Sequence, residues 1–389
     1  MRKVAVLGVG MTKFAKYPDT SLKELSRIAT WAAIKDVGID PREIEIIYFG
    51  NSLAGLITGQ ESIRGQTVFR EMGLVGKPII NVENACASAS TAFFGAWMAV
   101  ASGYADVALA LGSEKLFCGD TVKSINALAT CSDTEVEGRM GFQFSAHYAM
   151  KLRRHMSKYG LTREQMAKVT VKNHHNGSLN PYAQYQNEVT IEEVLNSRMI
   201  ADPITLFMTA PMGDGAAAAI LTSVKKARQF TTKPVYLAAT VLQSSAVRDI
   251  RKPDEPDVSE ICAIQAYEKA GIGPEDIEVA EVHDAMAPGE ILQYENLHFC
   301  PKGEGGKMID EGRTQLTGEI PVNPSGGLSA RGHPVGATGL AQIAEIVWQL
   351  RGQAEKRQIK PKVKVGLVQN GGGAIAGEPA SMTVHILKR

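Results

Sequence analysis

Long apolar runs are missing from this chain of 389 residues. No stretch approaches the length that crosses a bilayer, so no membrane span is expected. The sequence begins as a strand, Lys3-Val-Ala-Val-Leu7, so a secretory or transit peptide is not expected either, and the expected compartment is the cytoplasm. Cysteine is scarce: five residues (Cys86, Cys118, Cys131, Cys262 and Cys300), odd in number and without a CxxC pair. That scatter disfavours a disulfide scaffold and an intrachain zinc site, and no metal is expected. Charge of one sign is absent too. Lys and Arg number 42 against 41 Asp and Glu, a net charge of +1, which offers no platform for nucleic acid.

What is present is enough apolar material, 44% of residues, for two or three subdomains. A weak repeat organises it. Leu25 through Gly38, Pro41 and Ile44 reads as an amphipathic helix, a glycine cap, a proline turn and a strand. Val258 through Gly271, Pro274 and Ile277 reads the same way. The second unit of each half also corresponds. Cys86 opens a helix to about Ala101, then Asp106–Leu111 forms a strand ending at Gly112. His333 precedes a helix around Leu340–Leu350, then Val363–Val368 forms a strand that ends in Gly371-Gly372-Gly373. Duplicated strand–helix–strand units predict an α/β body of five layers, α/β/α/β/α, made from two mixed-sheet halves. Residues 1–115 with 210–233 form the expected first half, and 234–389 the second. The polar, helix-rich residues 116–209 lack a counterpart and read as an inserted lid.

Cys86 sits among small residues, Asn84-Ala-Cys-Ala-Ser-Ala-Ser90, where a strand turns into a helix. A buried cysteine is ordinarily a small apolar side chain. At a helix N-terminus, unpaired N–H groups also favour a thiolate nucleophile. His333 lies in the glycine-rich run Asn323–Gly339, which either caps a loop or lets a ligand approach backbone N–H groups. His283 ends a second-half strand, at the edge where sites gather in open α/β sheets. Gly371 and Gly373 are a tight turn, an oxyanion hole, or both. Gly8-Val-Gly10 lacks the third glycine of a dinucleotide loop, since Lys13 stands there. His174-His175 reads as a helix end, and Glu114-Lys115 as a structural pair.

Together, Asn84-Ala-Cys86-Ala-Ser, Gly112-Ser-Glu-Lys115, Lys172–Gln184, His283-Asp284 and Asn323–Gly339 resemble the thiolase superfamily, in its sterol-carrier-protein and archaeal branch. The resemblance spans the chain. It implies a homodimer or tetramer that cleaves 3-oxoacyl-CoA with CoA or runs the reverse condensation, with CoA as substrate and no permanent cofactor. Cys86 would take the acyl group and His333 the thiol proton. His283 would stand where many thiolases have asparagine and with His333 would polarise the thioester carbonyl, and the N–H groups of Cys86 and Gly371 would form the second oxyanion site. Asn180, Met286, Asn323, Gly326 and Gly327 would contact substrate. The family's second cysteine is missing: its two usual places hold Ala285 and Gln369, and His283 is the candidate substitute. The triad also resembles that of decarboxylating ketosynthases. Retro-aldol lyases of this fold and a CoA-binding subunit without activity of its own are further alternatives. The branch implies a small zinc-ribbon/OB-fold partner protein and admits substrates such as benzoylsuccinyl-CoA.

Overall fold

The computed structural model describes residues 1–230, 233–245 and 255–389. The first half runs β1 (Val4–Met11), α1 (Leu22–Val37), β2 (Ile46–Gly50), α2 (Ala54–Thr58), α3 (Arg64–Glu71), β3 (Ile79–Val82), α4 (Ser88–Ser102) and β4 (Val107–Glu114). The chain then leaves for α5 (Thr121–Ala129), α6 (Phe144–Tyr159), α7 (Arg163–Ser178), α8 (Ile191–Asn196) and a small hairpin, β5 (Met199–Ala201) with β6 (Ile204–Thr205). It returns through β7 (Gly215–Ser223) and α9 (Val224–Ala227). The second half is β8 (Val235–Ser244), α10 (Val258–Ala270), β9 (Val279–Glu281), α11 (Gly289–Asn296), α12 (Gly305–Asp310), α13 (Thr338–Arg351), β10 (Val365–Gly372) and β11 (Ser381–Lys388).

The repeat appears as two equivalent helix–turn–strand units. Ser21 caps the start of α1 and left-handed Gly38 its end; Asp257 and Gly271 do the same for α10. Each helix leads through a 3-10 turn on a proline, Pro41–Glu43 or Pro274–Asp276, into β2 or β9. The strands follow the order β3-β2-β4-β7-β1-β8-β11-β10-β9. The expected two halves therefore meet in one continuous sheet, but the seam between β1 and β8 is only Ala5–Tyr236 and Val6–Val235. Within each half the pattern is mixed: β2 runs parallel to β3 and β4, β9 parallel to β10, and β7 and β11 run antiparallel to their neighbours. In the second half the outer strand shrinks to one bridge, Val322 against Ala280.

Three apolar clusters stack the layers. The buried side of α1 packs on one face of the first-half strands, α4 and α13 fill the space between the halves, and α10 covers the far face with the inserted helices. Leu340, Ile343, Ile346, Val347 and Leu350 of α13 are all fully buried, each contributing roughly 1.5–3 kcal/mol of transfer free energy. Gly8 and Gly10 belong to this packing. A Cβ on either would lie 2.3 or 2.4 Å from the Ala33 backbone of α1, so this glycine pair seats a helix.

Two expectations need correction. The segment Ala85–Ser102 is long and apolar enough by composition to cross a membrane, with mean hydropathy 1.2, but 67% of it is buried between the half-sheets. Sequence reading overlooked it because Ser, Thr and Gly interrupt the apolar residues, so no long unbroken apolar run stands out. Strand β4 runs past Gly112 to Glu114, and Lys115 pairs with Asp214 at 2.8 Å instead of with Glu114.

Candidate active site

Cys86 sits in a 3-10 turn, Ala85–Ala87, that runs directly into α4. Local hydrogen bonds shape this turn. Glu83 accepts from the Ala85 N–H at 2.6 Å, and Ser88 Oγ accepts from Asn84 N–H while donating to the Ala85 carbonyl. Ala85 adopts φ of +48°, a left-handed conformation that costs an alanine about 1–2 kcal/mol. The end of β10 presses on the same turn: a Cβ on Gly372 would be 2.1 Å from the Asn84 carbonyl. Strand and turn approach so closely only because that position is glycine.

His333 reaches Cys86 from the other half. Its loop passes through a π-helical turn at Gly327–Arg331, then a 3-10 turn at Val335–Ala337 opens α13. Buried Glu114 ties the two turns together. Its carboxylate accepts the N–H groups of Ser52 and Leu53 beside the Cys86 turn, and that of Gly336 beside His333. Gly112 permits the approach, since a Cβ there would be 2.5 Å from the Gly336 carbonyl. His283 follows β9, with its backbone N–H donated to Gln369 Oε1 at 2.8 Å.

The result is a compact triad. The ligand-capable atoms of Cys86, His283 and His333 lie within 4.8 Å of one another, and all three residues are buried. The imidazoles meet edge to face, with centroids 5.2 Å apart at 78°. Burial pushes the Cys86 thiol up to about 12, against the pull of the Gly373 and Cys86 N–H groups directed at its sulfur. Burial lowers His283 to about 3 and His333 well below 6.5, helped by the other's charge and by Arg331. The resting triad is therefore neutral: one thiol and two imidazoles. The His333 tautomer follows from its partner. With Thr338 Oγ1 donating to the Pro334 carbonyl at 3.0 Å, it accepts from His333 Nδ1–H at 2.7 Å. That leaves Nε2 with a lone pair. By donor chemistry the same three atoms are also the set, among the described residues, able to ligate a soft or borderline metal ion.

The triad lines a cavity of about 160 Å³, together with Met286, Ala285, Gln369, Gly371 and Gly373. Asn180, Asn323, Gly326 and Gly327 lie outside this lining. Asn180 donates to the Ser325 carbonyl, and Asn323 bonds Val282 N–H and Glu290. Gly326 abuts Gly177, and Gly327 abuts Asp284 and Asn173. These residues build the wall behind the histidine loop, which is why their polar pattern reads like a binding motif. The insert was read as a lid, but sequence reasoning missed which of its residues line the cavity: Leu128 of α5, Cys131 just after it, and Phe144, His147 and Tyr148 of α6. Only their place between β4 and β7 hinted at it. Asn370 was also missed, although it sits beside the glycine run; its Nδ2 is 3.1 Å from His283 Nδ1.

Family models for the thiolase N-terminal domain and the thiolase C-terminal domain-like region match residues 4–225 and 242–389. The chain belongs to the thiolase superfamily. It is 45% identical to an acetyl-CoA acetyltransferase of Methanothermobacter thermautotrophicus, with all of both chains covered. It is 39% identical to the benzoylsuccinyl-CoA thiolase subunit BbsB of Thauera aromatica, over 96% of this chain and 95% of that one. Among solved structures, the Ltp2-ChsH2(DUF35) aldolase superposes with a TM-score of 0.81 at 27% identity, covering 99% and 97% of the two chains. Human mitochondrial 3-ketoacyl-CoA thiolase superposes at 0.73 with 19% identity, covering 100% and 98%, a likeness of fold. Full-length identity to acetyltransferases makes this thiolase an acyltransferase.

Proposed function

We propose that the protein is an acyl-CoA C-acyltransferase working through a Cys86 thioester, and that the carrying observation is the Cys86–His283–His333 contact across the two halves. His333 Nε2 takes the thiol proton as the sulfur attacks a CoA thioester. The thiol is a weak acid and both imidazoles are neutral, so proton transfer accompanies attack instead of preceding it. The oxyanion forms beside the N–H groups of Cys86 and Gly373, the latter taking the place expected of Gly371, which lies in the β10–β11 ladder opposite Met382; these donors cost no reorganisation at the moment of reaction. The departing CoA thiolate takes the proton from His333. In thiolysis a second CoA discharges the acyl group; in synthesis the carbanion of a second acyl-CoA does so.

Residues 116–209 act as the lid, inserted between a first half of 1–115 with 210–233 and a second half of 234–389. Asn180, Asn323, Gly326 and Gly327 support the substrate wall from behind, and Met286 faces the acyl group. Residues 1–389 work in the cytoplasm as a homodimer or tetramer. The likeness to a DUF35-containing aldolase and to a relative named as a subunit supports a small partner protein. The retained Cys86 favours the thiolase reading over the lyase one.

Intact-mass spectrometry tests this. Acetyl-CoA should add one acetyl group, lost on adding free CoA. A panel of acyl-CoA esters that leaves the mass unchanged overturns the reading.

A further inference from the structure

The two triad histidines are held by unequal partners. His333 Nδ1 meets a hydroxyl, Thr338 Oγ1, which also reaches the Pro334 carbonyl. His283 Nδ1 instead meets the side-chain amide of Asn370, whose Oδ1 is 2.7 Å from Ser90 Oγ. Ser90 Oγ is also 3.0 Å from the Ala87 carbonyl. All of these residues are buried.

This chain of contacts closes in two ways, each of which leaves both polar atoms of the Asn370 amide bonded. In the first, Ser90 donates to Asn370 Oδ1, Asn370 Nδ2 donates to His283 Nδ1, and His283 presents Nε2–H to the cavity. In the second, the amide is turned over. Ser90 donates to the Ala87 carbonyl, Asn370 Nδ2 donates to Ser90, His283 Nδ1–H donates to Asn370 Oδ1, and Nε2 presents a lone pair.

We propose that Asn370 is a positioning residue whose amide selects the tautomer of His283, making that one imidazole a hydrogen-bond donor during acylation and a base during condensation. This rests on the Cys86 acyl-enzyme reading and supplies what the missing second cysteine would do. Ala285 has no titratable group, and Gln369 is engaged with the His283 N–H and Ser259.

The proton balance closes within the triad. With the amide turned, His283 Nε2 takes the α-proton of the second acyl-CoA; the C–H bond breaks and an N–H bond forms. The imidazolium keeps its Nδ1–H on Asn370 Oδ1. The carbanion attacks the thioester carbon, a C–C bond forms and the C–S bond to Cys86 breaks. The departing sulfur receives the proton from His283, restoring thiol and neutral imidazole.

The test uses the full-length enzyme labelled with ring-¹⁵N histidine, with His283→Asn to assign the signal. His283 should show exchange between Nε2–H and Nδ1–H tautomers in the wild type. In Asn370→Asp, whose carboxylate only accepts, it should be fixed as Nδ1–H. Asn370→Asp should slow acylation by on the order of 10²-fold, the usual cost of losing one oxyanion donor, while condensation from the preformed acetyl-enzyme changes several-fold less. A single His283 tautomer in the wild type, before and after acetylation, overturns the proposal even if Asn370→Asp fails to fold. So does equal slowing of both half-reactions. Absence of the acetyl adduct in intact mass would instead remove the acyl-enzyme reading itself.

Discussion

The two halves run the same unit, a strand and a sharp turn leading into a buried helix, yet one delivers sulfur and the other imidazole. The first-half turn is short and held by local bonds, Glu83 to Ala85 and Ser88 to Ala85. The second-half turn follows a glycine-rich loop that packs on α7 and the residues after β9, with Asp284 accepting the Leu328 N–H and Ser325 bonded to Glu281. In the place where the first half has β3, the second keeps only the Val322 bridge. The loop has absorbed that strand. A fold duplication thus sets two helix N-termini face to face, and the asymmetry between their turns makes chemistry out of symmetry.

The strongest way to break the comparison is to remove the first-half contribution. Cys86→Ala should abolish the acyl adduct and lower turnover by about 10⁴-fold or more, read by intact mass and CoA release. Retained turnover would move the chemistry elsewhere. Removing the second-half contribution should cost less: His333→Ala should slow acylation by about 10²–10⁴-fold in single-turnover kinetics.

Next comes the bridge between the halves. Gly112→Ala drives a Cβ toward the Gly336 carbonyl and Ala89. It should destabilise by roughly 1–3 kcal/mol and slow acylation, because it pushes the two turns apart. Denaturation midpoints and single-turnover rates together check this, and an unchanged rate with lowered stability would sink the alignment role.

The pH dependence is a milder probe. Burial lowers His283 and His385 to about 3 and His147 to about 4, all from 6.5. The unfolded chain binds these protons from about pH 6.5 downward and the folded chain does not. Their contribution to stability is therefore complete above pH 6.5 and lost as pH falls toward 3–4. Thermal unfolding from pH 7.5 to 4.5 should show a falling midpoint, shallower in His385→Leu; identical slopes would contradict the assignment. The smallest effect belongs to Asn180→Ala. It removes a bond to the Ser325 carbonyl behind the wall, costing about 1–3 kcal/mol while KM for acyl-CoA stays within about twofold. A large rise in KM would place Asn180 at the substrate.

Much of this was legible because it is local. Helix period, the Gly38 and Gly271 caps and the proline turns are fixed by residues a few positions apart, so the repeat and its layers could be read directly. Cys86, His283 and His333 stood out because glycine and small residues around a reactive side chain are a local pattern. The insert could be read as a lid, but which of its side chains reach the site was not legible: the positions of Leu128, Cys131 and Tyr148 on the cavity depend on contacts far along the chain. Nor was the engagement of Asn180 and Asn323, since a buried amide bonded to backbone has the same composition as one that binds a ligand.

The sequence by itself determined the duplicated α/β units and the residue types able to form and hold a thioester, because short-range sterics and hydrogen bonding dictate both. Only the tertiary structure decided the protonation states of the triad. Burial made its thiol and imidazoles neutral, and partners drawn from separate strands and helices, Thr338 for one ring and Asn370 with Ser90 for the other, set which nitrogen faces the substrate. Desolvation and long-range hydrogen bonds exist only once the chain has closed on itself.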